Sequence, residues 1–391
     1  MHCGLLIAAG GGGDAIAAAI LSRALDAHGH RPHIATYSWD RLLIDPLPGP
    51  RDPSSFTRLE PVGDHNYRVT PKTIVGPPAG STLPRLAAEL DADLFLLDPR
   101  SGAQGLARQL SELARLLHAS TITIVDVGGD ILAHGDEPTL QSPLADSLIL
   151  AATTALHNVR VLVTGAGIDG ELPETLVLDR YDQLDARIVH TLSAADADGF
   201  RPLFEWHPSE VTGLLCAAAA GARGIAQIRD RRLPVALTDH TPEIALIDHA
   251  QVMRANGLAQ QLVDTRSLAE ADDVLHKAGR DSEIDYERRK ARQRDGTQQR
   301  TLRESDTLTL RNQLSEIQTN ARQQGLDFIT LRSLAEQLAL PGSCLAELQN
   351  ELKTLRPGEY APPLWTIRPL APSASQPATH RATSRGPPSP H

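Results

Sequence analysis

The stretch IVDVGGDILAHGDEPTLQSPLADS, residues 124 to 147, carries Asp126, Asp130, Asp136, Glu137 and Asp146 among glycines. Acidic residues are usually spread over a solvated face. These follow a β-branched apolar run, at the point where a buried strand should end. Two carboxylates held about 6 Å apart repel by roughly 2.8 kcal/mol at an effective dielectric near 20. Carboxylates that converge must therefore bind a cation, take up protons or pair with basic groups. A divalent metal, Mg²⁺ or Mn²⁺, is the most economical solution, because such ions prefer oxygen ligands. Asp126 and Asp130 are the metal-ligand candidates. Asp136 and Glu137 would complete the shell or activate a bound water as general base, so these four form the candidate catalytic set. Asp146 falls inside a predicted helix and reads as a surface or structural residue. A cationic substrate, an amine or a guanidinium compound, would neutralise the same carboxylates without a metal.

Other residues suit substrate contact. Gly10, Gly11, Gly12 and Gly13 precede Asp14 and open a helix, where backbone N–H groups could face a phosphate. The loop is neither GxGxxG nor a Walker motif, and Asp14 doubles as a helix N-cap. Lys72 is the only lysine before Lys277, so phosphate-clamping and Schiff-base chemistry have one candidate. Asp98, Gly165, Asp169, Glu171 and Glu210 complete the substrate-contact set. GxSxG is absent, and Ser209 in EWHPSEVTG reads as helix-start chemistry rather than a nucleophile. His134 and His207 are candidate bases, each weighed against a structural role. No organic cofactor is implied.

These residues follow a repeated pattern. GLLIAAGGGGDAIAAAILSRALDAHG reads as strand, loop and helix, and HIATYSW as a second strand. DADLFLLDPRSGAQGLARQLSELARLLHAS, TITIVDVGGD and VRVLVTGAGIDGEL continue the alternation. SPLADSLILAATTALHN is a helix with Ser142 as N-cap and Pro143 at its first position. Residues 45 to 80 look like a long surface excursion. Alternating β and α predicts an α/β, Rossmann-like three-layer fold with a mostly parallel sheet. In such sheets ligands sit beyond the carboxyl ends of the strands, which is where the Gly-rich and acidic loops fall.

The pattern changes near residue 275. The expected organisation is a catalytic domain over 1–275, a charged connector and helical unit over 276–370, and a disordered tail over 371–391. Within the unit, TLRSLAEQLALPGSCLAELQNEL has helix-turn-helix-like length. Its second helix is acidic at its centre, whereas DNA reading needs basic and amide side chains. Nucleic acid is not an expected partner, and a packing pair or a homodimer through these helices is preferred.

The chain has 391 residues, 41% of them hydrophobic, 22% charged and 3% aromatic, with a net charge of −10. That balance repels nucleic acid and anionic membranes. Cys3, Cys216 and Cys344 form no CxxC pair, so a zinc site or disulfide framework is not expected and a cytoplasmic setting fits. The N-terminus lacks the basic start of a signal peptide, and no apolar run is long enough to span a membrane.

GGGGD after the first strand, YSWDR at 37 to 41, DVGGDIL with GDE and SPLADS, GAGIDGEL and HPSEVTG together resemble the domain-of-unknown-function 1152 family. The resemblance runs from residue 5 to about 250 and implies a Rossmann-like α/β fold, with no activity attached. The residues themselves predict an enzyme, a hydrolase or transferase acting on a small polar, phosphorylated or nucleotide-like substrate by metal-assisted hydrolysis or group transfer. A metal-free enzyme for an amine or guanidinium compound is one alternative. A non-enzymatic ligand sensor that signals through its C-terminal helices is another.

Overall fold

The computed structural model describes residues 4–26, 29–229, 233–295 and 307–368. The expected disordered tail, 371–391, lies outside the described residues.

Short apolar runs become strands buried on both faces. β1 (Leu5–Ala8), β2 (His33–Tyr37), β3 (Asp93–Leu97), β4 (Ile122–Val127) and β5 (Val159–Thr164) run parallel, in the spatial order β3-β2-β1-β4-β5. Leu5 sits opposite both His33 and Ile122, so β1 is central. Parallel neighbours need long crossovers, and helices supply them: α1 (Asp14–Leu25), α2 (Gly102–Leu116) and α3 (Pro143–Thr153). Alternate side chains of β1 enter different cores. Leu5 and Ile7 pack with Leu106 and Leu110 of α2 and Leu144 and Leu148 of α3. Leu6 and Ala8 pack with Ile16 and Ile20 of α1 and with Leu214 of α4 (Glu210–Ala219). Each fully buried Leu or Ile contributes about 1.5–3 kcal/mol, so both faces of the sheet are held.

Antiparallel strands extend this sheet to nine. Glu60–Val62 and Asn66–Val69 join beyond β3, inside the segment expected to be a surface excursion. On the other side lie Glu243–Asp248 and Arg187–Thr191. The result is a mixed α/β fold whose central strands are parallel.

A second, five-stranded sheet joins β6 (Gly224–Ile228) to β7 (Phe328–Thr330), in parallel, with Leu233–Leu237, Tyr360–Ala361 and Leu364–Thr366 completing it. The C-terminal segment is therefore more than helices. The helices α6 (Leu331–Gln337) and α7 (Leu345–Leu355) pack around Trp365, which is fully buried. The charged connector contains α5 (Glu283–Asp295), whose Glu283 and Glu287 are buried. Among the described residues, no helix is long and apolar enough to cross a membrane.

The turn after β4 explains the glycines beside Asp126 and Asp130. Gly128 and Gly129 have φ of +128° and +101°, a region that L side chains rarely adopt. A Cβ at Gly129 would lie 2.8 Å from Val177 Cγ1. The reversal lets Asp126 Oδ2 accept the Gly129 N–H at 2.9 Å and returns Asp130 towards the strand end. Gly129→Ala is expected to cost about 1–3 kcal/mol through strain and crowding. Urea denaturation of this variant against wild type checks it; an unchanged midpoint would contradict the geometry.

Candidate functional site

The carboxyl ends of β1, β2, β4 and β5 open into one cavity of about 100 Å³. One water needs about 10–15 Å³ on the same scale, so the space suits a hydrated ion with a small ligand. Gly10–Gly13 and Asp14 enter after β1, Asp40 and Arg41 after β2, Asp126 and Asp130 around the end of β4, and Asp169 and Glu171 after β5. Ser142, Ala145 and Asp146 come from the start of α3, and His207 to Val211 from the start of α4. The second sheet sends Arg229, α5 sends Glu283 and Glu287, and α6 sends Arg332.

Acids dominate. Ligand atoms of Asp126, Asp130 and Asp146 all lie within 4.8 Å of one another, and so do those of Asp130, Asp169 and Glu171. Asp126 and Asp146 are buried, while Asp130 is partly open to the cavity. Burial, then the neighbouring carboxylates, push Asp130 and Asp146 well above the usual carboxylate range. Burial also raises Asp126 to about 6, against the hydrogen bonds it accepts from Asp130 and Gly129. Asp169 rises to about 8 through burial and the charge of Glu171. Asp14 rises to about 7, from desolvation in the cleft and then the charge of Asp126.

The acids differ in how well they are satisfied. Burial works against Glu171, yet the Arg229 guanidinium at 3.3 Å and the Gln141 and Ser142 amides hold it ionised, below its ordinary value. Asp14 Oδ2 accepts the Gly10 N–H at 2.8 Å, so Asp14 is the first residue of α1 rather than its N-cap, which is Gly13. Asp146 Oδ1 is buried and has no hydrogen-bond partner among the described residues. It is the carboxylate oxygen of this group that most needs a ligand.

Contacts from far along the chain complete the frame. Ser142 occupies the N-cap position of α3 with Pro143 next, as expected, but its hydroxyl goes to Glu171, and Glu283 accepts the Leu144 and Ala145 amides at 2.9 Å in its place. Burial nevertheless raises Glu283 to about 8. Glu287 accepts from Trp39 Nε1 at 3.2 Å and Gly49 N at 2.7 Å. Glu210 is held by Arg332 at 3.3 Å, by the Arg229 amide at 3.1 Å and by the Thr330 hydroxyl.

Of the residues singled out by sequence, Gly10 to Gly13, Asp14, Asp126, Asp130, Asp169, Glu171 and Glu210 all line the cavity. Asp136, Glu137, Asp98 and Gly165 do not. Asp136 is exposed. Glu137 is buried elsewhere against Arg180, at 3.3 Å, and accepts the His134 and Gly135 amides. Asp98 pairs with Arg100 at 2.8 Å. His134 Nδ1 meets Arg180 at 3.1 Å, also outside the cavity. Asp146, Arg229, Glu283 and Arg332 were not foreseen as site residues. Asp146 did carry a signal: it is an acid within PLADSLILAAT, a helix apolar on every side and hence buried all round.

The sequence model described as "Protein of unknown function (DUF1152)" matches residues 5–291, which contain every cavity residue named above except Arg332. No curated protein and no solved structure matches the chain.

Proposed function

The chain belongs to the DUF1152 family of proteins of unknown function, and we propose that it is a divalent-cation-dependent enzyme. It would hydrolyse, or transfer a group from, a small phosphorylated or nucleotide-like molecule. The observation that carries this reading is the convergence of Asp126, Asp130 and Asp146 within 4.8 Å, with Asp146 Oδ1 left without a partner. An all-carboxylate donor set suits Mg²⁺ or Mn²⁺ rather than softer metals. Such a cation would polarise a phosphoryl oxygen and ease ionisation of an attacking water.

The surrounding residues have distinct tasks in this reading. Asp169, whose carboxyl burial and Glu171 raise in the cation-free cleft, has a ligand atom within 4.8 Å of those of Asp130 and Glu171 and would release its proton to complete the cation's shell. The Glu171–Arg229 pair is already neutralised and holds the wall between β5 and the second sheet. Arg41 and Arg332 line the same cavity and suit an anionic substrate group. The order β3-β2-β1-β4-β5 supports a Rossmann-like, three-layer reading, in which the ligand crevice falls between β1 and β4. The Gly10–Gly13 and Asp126–Asp130 loops flank that crevice.

A second reading keeps the acids and drops the metal. Trp39 also lines the cavity, and an indole beside carboxylates suits an amine or guanidinium group. Turnover of phosphate monoesters, pyrophosphate and nucleotides, measured with Mn²⁺ and with EDTA, separates the readings. The expected result is turnover only with the cation, and at least a hundredfold loss in Asp130→Asn. Turnover of amine or guanidinium compounds in EDTA would favour the metal-free enzyme. Ligand binding without turnover would favour a sensor.

A further inference from the structure

The cavity also contains a hydrogen-bond donor that nothing described so far uses. His207 is 3% exposed and lies in the turn that leads into α4. The Ser209 N–H donates to its Nδ1 at 3.2 Å. Nδ1 is therefore an acceptor, and in the neutral ring the hydrogen must sit on Nε2. Nε2 is buried and has no hydrogen-bond partner among the described residues. A buried donor without an acceptor is destabilising, and His207, whose ring packs edge-on against Trp206, is among the residues that line the cavity. We propose that His207 is a ligand-binding residue whose Nε2–H donates to an anionic oxygen of the substrate, a phosphoryl oxygen.

Its surroundings fit that class of ligand. The N-termini of α1 and α4 meet beside it: Thr212 Oγ1 donates to the Gly13 carbonyl at 3.1 Å, and Ser209 caps α4. Two helix N-termini favour negative charge. Arg332 reaches the same turn through Glu210. Burial drives the ring to about 3, so it stays neutral and keeps its Nε2 hydrogen across the physiological range. A base must offer a free lone pair. Here one nitrogen is engaged and the other is protonated, so His207 is a donor rather than the base its residue type suggests. A neutral imidazole is well suited to donate to an oxygen that gains charge during reaction.

This inference rests on the cation reading, because an anion entering a carboxylate-lined cavity needs a cation to offset the repulsion. Three measurements on the full chain keep the two apart. Mn²⁺ affinity is read by electron paramagnetic resonance. Pyrophosphate affinity is read by calorimetry at saturating Mn²⁺, for wild type, His207→Gln and His207→Leu. The His207 Nε2–H resonance is followed by NMR in ¹⁵N-histidine-labelled wild type as pyrophosphate is added at saturating Mg²⁺, the diamagnetic counterpart of Mn²⁺. All three proteins should bind Mn²⁺ alike. Pyrophosphate affinity should fall at least tenfold in His207→Leu and stay within threefold in His207→Gln, whose amide N–H replaces Nε2–H. The Nε2–H resonance should move downfield on binding. Equal pyrophosphate affinity in His207→Leu, or an unmoved Nε2–H resonance, overturns the proposal and assigns His207 a structural role. The resonance test holds even if His207→Leu does not fold. Mn²⁺ binding without pyrophosphate binding in wild type overturns it too, and leaves the cation site standing. No Mn²⁺ binding in wild type brings down both.

Discussion

Asp146→Asn is expected to weaken Mn²⁺ binding at least a hundredfold while leaving the cation-free protein as stable as wild type or more so. The side chains are nearly the same size, so the first turn of α3 keeps its packing. What changes is charge. Two ionised carboxylates no more than 4.8 Å apart repel by at least roughly 3.5 kcal/mol at an effective dielectric near 20. The substitution removes from the empty site both that repulsion and the need for Asp146 to hold a proton to relieve it, and the new amide can donate to Asp126 or Asp130. In the loaded site it removes a ligand. Loss of groups that merely orient metal ligands costs about 10–100-fold in affinity, so loss of a ligand should reach or exceed the upper end. Asp136→Asn is the control, since that residue is exposed outside the cavity. Glu137→Gln should also leave Mn²⁺ affinity unchanged, and should lower stability because Arg180 loses its carboxylate partner. Manganese titration by electron paramagnetic resonance, with urea denaturation in EDTA, reads both effects. An unchanged affinity in Asp146→Asn would remove it from the ligand set.

The residues that were legible in the sequence share one physical cause. A short apolar run buried on both faces fixes where a strand stops, and in a parallel sheet all such stops face one way. Asp126, Asp130, Asp169 and Glu171 each lie at or after the end of such a run, so their placement along one edge of the sheet was legible, whereas their convergence depends on the strand order, which was not. The glycines at 128 and 129 marked the reversal after β4. Asp136 and Glu137 looked like a continuation of the same acidic cluster. Gly135, with φ of +102°, turns the chain so that Glu137 caps its own loop and meets Arg180 instead. No local pattern foretells a pairing with a residue 43 positions away.

The rest of the site depends on segments whose local character misleads. The stretch around Glu283 and Glu287 is highly charged and reads as solvated. Both acids are buried because they accept backbone and indole N–H groups 139 and 248 positions away. Arg332 lies in a segment read as a packing helix pair, beyond the family-matched residues. It reaches the cavity only because β7 pairs with β6 and sets α6 beside Glu210. Strand pairing between such distant segments is a tertiary outcome that periodicity does not encode.

Without a cation, the protein should lose stability as pH rises from 6.5 to 8, and Mg²⁺ should restore it. The direction follows from proton counting. Glu283 goes from an ordinary 4.5 to about 8, so between those values the folded state holds a proton that the unfolded state has released. Stability then falls with pH. At about 1.4 kcal/mol per pKa unit, this group alone accounts for roughly 5 kcal/mol over the whole span, of which about 2 kcal/mol falls between pH 6.5 and 8. Asp169 and Asp14, at about 8 and about 7, act in the same direction. Their combined demand approaches the whole stability of an ordinary domain, about 5–15 kcal/mol, so these acids keep protons at neutral pH or surrender them to a cation. Below 6.5 the trend is masked. His207, lowered to about 3, is neutral when folded and charged when unfolded, so its contribution grows as pH rises to 6.5 and is constant above. Glu171, held below its ordinary value, contributes stability that is lost only in stronger acid. His240 and His276 are raised by Glu243 and Asp285 and also lose stabilisation as pH rises, but both pairs are exposed and worth at most about 1 kcal/mol each. Those histidines lie outside the cavity; because His276 groups with Asp272 and Asp285 within 4.8 Å, the part restored by Mg²⁺ in wild type but not in Asp146→Asn reports the cleft. Urea midpoints at pH 6.5 and 8, in EDTA and in Mg²⁺, give the comparison. Glu283→Gln should flatten the EDTA series. Stability in EDTA that stays level or rises from pH 6.5 to 8 would mean that the carboxylates are neutralised from within the chain, and the case for a cation would fail.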